Sequence, residues 1–345
     1  AITNPNLSVQ GVTSFSIGTA GNIFTVLENK QYVWADPRIN TVVFSHRKRV
    51  GTGTNAVGFL TYDVSKNGGT VGTWTVNTST VYDPSFAPQT AYGARFPQCG
   101  IYNPPGNTVA DSAYFTYYAP TLDNSNPGPT MTGNSWGGAA WGGERFSGSA
   151  ASQVDTTSNK NPSTSNCWFV IPESFTTTKD GVTHALEQNS KGNSSGWFYN
   201  DTMLYSRGHW NTTTKHYDYQ RTFLRIPLST AGGGNSSKRF VDSKISYADN
   251  GMDGYISIIG HNDYTARPDS SYYLIIYKTT DGGDSWTGPT NIMMDGAIAA
   301  FPNPTGGATQ KYSAAFEHDA VVDSAGNLHA IMGINEWQLT QAGLG

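Results

Sequence analysis

An all-β, many-stranded chain is what this sequence predicts, and three observations carry the prediction. Aromatic residues make up 12% of the 345 residues, whereas charged residues make up only 13%. That balance suits rings packed on pleated surfaces. Glycine numbers 39 and clusters with Asn, Ser and Thr between short apolar runs, which is turn chemistry repeated many times. No long stretch carries the 3.6-residue apolar period of an amphipathic helix.

Taken in order, Phe15-Ser16-Ile17 and Ile23-Phe24-Thr25-Val26 are short β-like pieces. Tyr32-Val33-Trp34, residues 41–47 and residues 58–64 read as strands. The last leads through Ser65-Lys66-Asn67-Gly68-Gly69-Thr70 to Trp74. A second unit opens at residues 94–104, turns at Pro104-Pro105-Gly106-Asn107 and returns through residues 113–118. Residues 119–166 read as loop-rich, with Trp136-Gly137-Gly138 echoed by Trp141-Gly142-Gly143. Cys167-Trp168-Phe169-Val170-Ile171-Pro172 reads as a buried strand with residues 183–187 as partner. Residues 201–206 and 217–226 read as a hairpin. Asn250-Gly251 separates two further strands, residues 272–277 form another, and residues 318–323 and 328–333 pair across Ser324-Ala325-Gly326-Asn327. Strand pairs recurring at roughly 40–60 residues suggest blades of a β-propeller. The expectation is one domain over residues 1–345 with six to eight blades, and a β-sandwich is the competing architecture.

The most informative turn is Thr279-Thr280-Asp281-Gly282-Gly283-Asp284-Ser285-Trp286. Asp281 and Thr279 are placed to accept hydrogen bonds from backbone N–H groups of the turn. Gly282 and Gly283 supply positive φ, and Trp286 leaves as an apolar anchor. This stretch resembles the Asp-box of sialidase-type (BNR-repeat) β-propellers, with Thr279, Asp281, Gly283 and Trp286 at the signature positions. Ser65, Asn67, Gly69 and Trp74 form a degenerate second copy, with Asn in place of Asp. The resemblance implies a propeller with these boxes on outer turns, away from the ligand face. Segments 94–108 and 253–260 resemble secreted surface proteins of Bacteroidetes that travel by type IX secretion. That likeness implies export, cell-surface residence and no known catalytic residues. No sorting domain follows before Gly345, so the chain is expected to belong to a longer protein.

Net charge is −4 with a pI near 6.0, so no basic footprint for nucleic acid is present. No apolar run approaches the roughly 20 residues of a membrane span. Low charge and abundant Asn, Thr, Ser and Gly fit a secreted or cell-surface protein. The two cysteines, Cys99 and Cys167, either pair or stay as buried thiols, with thiols favoured. Asp111-Ser112-Ala113, Asp201-Thr202-Met203 and Asp323-Ser324-Ala325 match a short flavobacterial-type O-glycosylation pattern.

Candidate chemistry is sparse. Sialidases use an arginine cluster, a Tyr–Glu pair and an Asp; the nearest echo is Leu224-Arg225-Ile226-Pro227, with Arg225 as its arginine. Glu317, His318 and Asp319 form a polar cluster before a strand. Gly133-Asn134-Ser135-Trp136-Gly137 matches a nucleophile-elbow pattern, but lacks the preceding strand and following helix. The histidines show no metal spacing, and no cofactor is expected. Residues 249–254 are oxygen-rich and leave Ca2+ as the one metal to test, although an EF-hand's length and terminal Glu are missing. Trp136, Trp141, Trp210 and Tyr217 are candidates for stacking on sugars. The expected function is a non-catalytic surface module for binding, adhesion or structure, with a glycan or surface protein as partner, as cargo or subunit of an envelope assembly. A divergent sialidase-like glycosidase is the alternative.

Overall fold

The structure, a computed structural model, describes residues 14–21, 31–48, 58–83, 93–123, 135–148, 155–158, 172–193, 196–228, 240–261, 272–292 and 310–338. The described residues form antiparallel sheets without an α-helix. The first sheet contains β1 (Val33–Asp36), β2 (Thr41–Arg47), β3 (Leu60–Ser65) and β4 (Trp74–Thr75). The second contains β5 (Gln98–Tyr102), β6 (Tyr114–Asp123), β7 (Ser135–Arg145) and β8 (Asp155–Ser158). The third contains β9 (Pro172–Thr177), β10 (Thr183–Asn193), β11 (Gly196–Asn211) and β12 (His216–Arg225). The fourth contains β13 (Phe240–Tyr247), β14 (Gly254–Gly260), β15 (Tyr273–Thr279) and β16 (Thr287–Ile292). The fifth is the pair β17 (Gln310–Val322) and β18 (Leu328–Gln338).

Within every sheet, neighbours in space are neighbours in sequence, so each is a meander. The unit recurs about every 70 residues, longer than the strand pairs suggested, because each meander carries up to four strands plus their connections. Successive sheets meet through their first strands: β1 packs on β5, β5 on β9, β9 on β13 and β13 on β17.

Alternation explains how each sheet buries a face. In β2, Val43 and Ser45 are buried on one side, and on β3 Leu60, Tyr62 and Val64 share it by register. That face packs on Phe115, Tyr117, Cys99 and Ile101 of the second sheet. Tyr62 stacks on Phe115 with ring centroids 4.1 Å apart. Similar layers join the other sheets, for example Leu186, Met203 and Tyr205 with Ile245, Ile256 and Tyr273.

Each layer also encloses polar groups that bond across to the neighbouring sheet. Between the first two sheets, the Tyr62 hydroxyl donates to Glu144 Oε1 at 3.0 Å, and Ser79 donates to the same carboxylate at 2.6 Å. Between the second and third, the Arg221 guanidinium reaches the Tyr118 hydroxyl at 3.3 Å, Ser206 Oγ at 3.2 Å and Glu187 Oε2 at 3.4 Å. Between the third and fourth, Ser174 Oγ accepts from the Ile245 N–H at 3.0 Å. Between the fourth and fifth, His318 Nδ1 donates to Asp242 Oδ2 at 2.8 Å, and Ser257 Oγ lies 2.7 Å from His318 Nε2.

Several expectations change. Much of the supposedly loop-rich region is strand: β6 extends to Asp123, β7 has 11 residues, and β8 follows. Glycine lowers strand propensity, but tertiary packing overrides it here. Ala139, Ala140 and Trp141 of β7 are buried. A Cβ at Gly143 would already touch the Tyr217 and Trp210 rings, at 3.4 and 3.6 Å, so a larger side chain would push them away. Phe15-Ser16-Ile17 forms no strand. Trp141 and Tyr217, candidates for stacking on sugars, are 8% and 2% exposed inside the layer between the second and third sheets, and Trp210 packs against it. Cys99 is a buried free thiol whose ionisation burial pushes up to about 12. Cys167, the strand expected around it, residues 23–26 and the Trp136 side chain lie outside the described residues. Among the described residues, no helix is long and apolar enough to cross a membrane.

Rings and seam groups should separate in a stability series. Phe115→Ala is expected to cost about 3–5 kcal/mol through the cavity it opens. Tyr62→Phe keeps the ring and removes one donor from buried Glu144, for about 1–3 kcal/mol. Urea unfolding followed by tryptophan fluorescence measures both; equal losses would show that the hydroxyl matters as much as the whole ring.

Candidate binding site

A cleft of about 310 Å³ opens where β1, β5 and β9 end beside the turn that follows β13. Its floor includes Trp34 and Ile101, and its rim carries Asp36, Arg38, Lys179 and Asp249. Local sequence sets this rim. Asp36 caps the single 3₁₀ turn Pro37–Ile39: its Oδ1 accepts from the Arg38 backbone N–H at 2.9 Å and from Arg38 Nε at 3.0 Å. Asp36 Oδ2 accepts from Arg38 Nη2 at 2.6 Å. Pro37 supplies the fixed φ at the start of the turn, and Asn40 closes it in the left-handed region at φ 49°.

Asp36 is 4% exposed, whereas the Arg38 side chain is 41% exposed. A buried carboxylate thus holds one edge of an exposed guanidinium in a fixed fork. Burial raises the Asp36 ionisation, but the bonds from Arg38 and Asn103 outweigh it and hold the carboxyl below its usual range. The wall is close-packed: a Cβ at Gly100 would run into Thr177 Oγ1. Half-buried Trp34 and a rim of both charge signs suit a ligand with apolar faces and many hydroxyls.

The turn after β15 forms as its residues dictate. Thr279 Oγ1 accepts from the N–H groups of Asp281 and Gly283, at 3.3 and 3.0 Å, and donates to Asp281 Oδ1 at 2.7 Å. Asp281 Oδ1 also accepts from the Ser285 N–H at 3.0 Å. These bonds from Ser285 and Thr279 hold the exposed Asp281 carboxyl well below its usual range. Gly282 and Gly283 sit at φ 70° and 94°. Trp286 packs edge-on against Tyr205 and Tyr247. After β3 the pattern repeats: Ser65 Oγ accepts from the Asn67 and Gly69 N–H groups at 3.2 and 3.0 Å, and Trp74 Nε1 donates to the Gly69 carbonyl at 3.1 Å. Both turns join the third and fourth strands of their sheets.

The candidate catalytic residues do not converge. Arg225 is exposed on β12, the edge strand of the third sheet, opposite Thr202. Strand alternation splits the 317–319 cluster: Glu317 and Asp319 face solvent, and only His318 turns inward to Asp242 and Ser257. Ser257, His318 and Asp242 reproduce the hydrogen-bond order of a Ser–His–Asp relay, but they are 1%, 4% and 0% exposed and bolt two sheets together. Ser135 begins β7 and is followed by strand, where a nucleophile elbow needs a helix. In residues 249–254, Asn250 Oδ1 accepts from the Met252 and Asp253 N–H groups, at 2.9 and 3.0 Å, as a turn. Among the described residues, no group of three or more metal-type ligands gathers.

Sequence inspection missed the Tyr118–Glu187–Arg221 cluster and a second one around His184. Tyr118 and Arg221 are 103 positions apart, and only a charged residue on an inward strand position hints at such a partner. His184 Nδ1 lies 2.7 Å from the Tyr205 hydroxyl, which meets the Tyr247 hydroxyl at 3.0 Å. The His184 ring stacks on Tyr247 at 3.7 Å. Arg207 Nη1 donates to the Gly282 carbonyl at 2.9 Å, tying the fourth sheet's last turn to the third sheet.

No family model and no curated protein matches this chain. Among solved structures, one similar chain is described as a polysaccharide lyase of a new family, an ulvan lyase. The match has 10% identity and a TM-score of 0.31, over 87% of this chain and 65% of that one. This chain therefore spans less than two thirds of that protein's length, and a likeness so distant carries no argument here.

His184 gives the site region a pH signature. Burial, then the charges of Arg207 and His209, hold its imidazole well below the ordinary 6.5. The folded chain keeps His184 neutral while the unfolded chain protonates it, so its contribution is complete above about pH 6.5 and falls as the solution is acidified below that. Urea midpoints measured from pH 7.5 to pH 5 should fall for the wild type and fall less steeply for His184→Gln. Equal slopes would mean that His184 takes up its proton as readily folded as unfolded.

Proposed function

We propose that this chain is a β-propeller that acts as a non-catalytic binding module, taking a glycan or a polar surface segment of another protein in the cleft beside Trp34. One observation carries this reading: the first strands of successive sheets run side by side, and their ends leave a cleft with one indole and a fixed charged rim. Four consecutive meanders joined edge by edge through their first strands are what a radial blade arrangement requires. The two hydroxyl-based turns between third and fourth strands support an Asp-box kinship, since such boxes belong on outer turns.

The buried state of the chemically suggestive groups favours binding over turnover. Glu187 and Ser257 are shut inside inter-sheet layers, where a substrate could reach them only by prising neighbouring sheets apart. Arg225, on an exposed edge, gives the sialidase-like alternative no convergent arginine cluster. We further propose residence outside the cell, as a secreted or surface-displayed component of a larger envelope assembly. The low charge and hydroxyl-rich composition support this.

A glycan array followed by calorimetry on the best ligand tests the reading. Trp34→Ala should weaken binding about tenfold or more, the scale of losing one well-packed aromatic contact. Lys179→Ala should weaken it less, and Arg225→Ala should leave it unchanged. Hydrolysis or elimination of any array glycan by the wild type would replace a binding module with an enzyme.

A further inference from the structure

Arg47 ends β2 on a face where a cation does not belong. Alternation places it with Val43 and Ser45, both buried against the second sheet. It is 6% exposed, and its Nε has no hydrogen-bond partner. Among the described residues, its guanidinium makes no ion pair and no hydrogen bond; its backbone carbonyl alone accepts, from Gly21 N–H at 2.8 Å and at His46 Nδ1 at 2.9 Å. An arginine cannot relieve such burial by releasing its proton, and an uncompensated buried charge is among the costliest arrangements in a fold.

Among the described residues, the surroundings add donors and no free acid. Tyr32 faces Ser45 across the β1–β2 pair, where the Ser45 N–H donates to the Tyr32 carbonyl at 2.8 Å. Its side chain therefore shares the Arg47 face, and its hydroxyl is buried without a hydrogen-bond partner. Ser45 Oγ donates to the Pro97 carbonyl at 3.1 Å, so the segment preceding β5 lies over this face. That segment brings Arg95, whose charge acts on Arg47 in addition to burial. Phe96, the next residue, is held at φ 48°, in the left-handed region that favours glycine. The nearby carboxylates are committed elsewhere: Glu144 to Tyr62 and Ser79, and Asp63 to His46 on the opposite face of the sheet.

We propose that Arg47, Arg95 and the Tyr32 hydroxyl form a binding site for a small oxyanion, with a sulfate or phosphate group preferred over a monocarboxylate. Two guanidinium groups present donors only, the phenol O–H can donate one more bond, and a dianion balances both positive charges. The site lies at the far end of β2 from the Trp34 cleft, since Asp36 pairs with Thr41 at one end and Arg47 ends the strand at the other. It is therefore independent of the ligand proposed there.

Thermal unfolding of the whole chain at constant ionic strength tests this, with inorganic sulfate, inorganic phosphate and acetate titrated to about 10 mM against chloride. The wild type should show a saturable rise in Tm with sulfate and phosphate and a smaller one with acetate. Arg47→Met and Arg95→Gln should each weaken the apparent affinity at least tenfold. In chloride alone, Arg47→Met should be no less stable than the wild type, because it removes an unpaired charge. Arg95 is only half-buried, so Arg95→Gln keeps the test decisive if Arg47→Met does not fold. A sugar sulfate used in parallel identifies the source: response to both means that the site reads the group on a larger molecule, and response to inorganic sulfate alone means that it holds a free ion. An unresponsive wild type, or equal stabilisation of all three chains, would overturn the proposal; equal stabilisation is the general effect of an excluded salt.

Discussion

The polar seams between sheets are the constraint on which the rest of the structure depends. An apolar layer of Tyr, Phe and Ile tolerates small slips of one sheet over another, because dispersion and desolvation have little direction. A buried carboxylate or imidazole does not. Glu144 reaches its tyrosine donor only at one relative placement of the first two sheets, and Asp242 reaches His318 only at one placement of the last two. Losing such a partner leaves a desolvated polar group, so each seam converts a greasy contact into a defined alignment. The edges of β1, β5, β9 and β13, and with them the cleft, inherit that alignment.

The two kinds of polar feature divide the labour. Within the layers, histidines, tyrosines and carboxylates face one another and do structural work. At the strand ends, where turns meet solvent, a charge such as Arg38 is held at the rim by a short local motif. The Asp36 cap shows how little sequence this needs. One acid, one proline and one arginine in succession fix a guanidinium beside an indole two residues upstream.

How much of this was legible followed the range of each interaction. Strands such as Thr41–Arg47 and Gly254–Gly260 are local patterns bounded by turn residues, and they appear nearly where expected. The Thr279–Trp286 turn is written entirely in eight consecutive residues, and its bonds follow from their chemistry. The strand β7 was not legible, because its Gly143 lies against rings from Tyr217 and Trp210, some 70 positions away. Trp141 and Tyr217 looked like exposed aromatics for the same reason, since composition does not reveal which face a ring will take. The cleft joins four segments spread from Trp34 to Asp249, and no local pattern marks such a convergence.

The paired turns after β3 and β15 show which residues the bend itself needs. In both, the hydroxyl at the first position gathers the backbone N–H groups, while the acidic position is Asp281 in one copy and Asn67 in the other. The carboxylate ties down the far side of the loop, but the tight bend itself rests on a hydroxyl and a glycine of positive φ. The bend therefore forms with either Asp or Asn at the acidic position. A search keyed to aspartate would find the turn after β15 and pass over the one after β3. One weighted toward the hydroxyl, the left-handed glycine and the closing indole would find both.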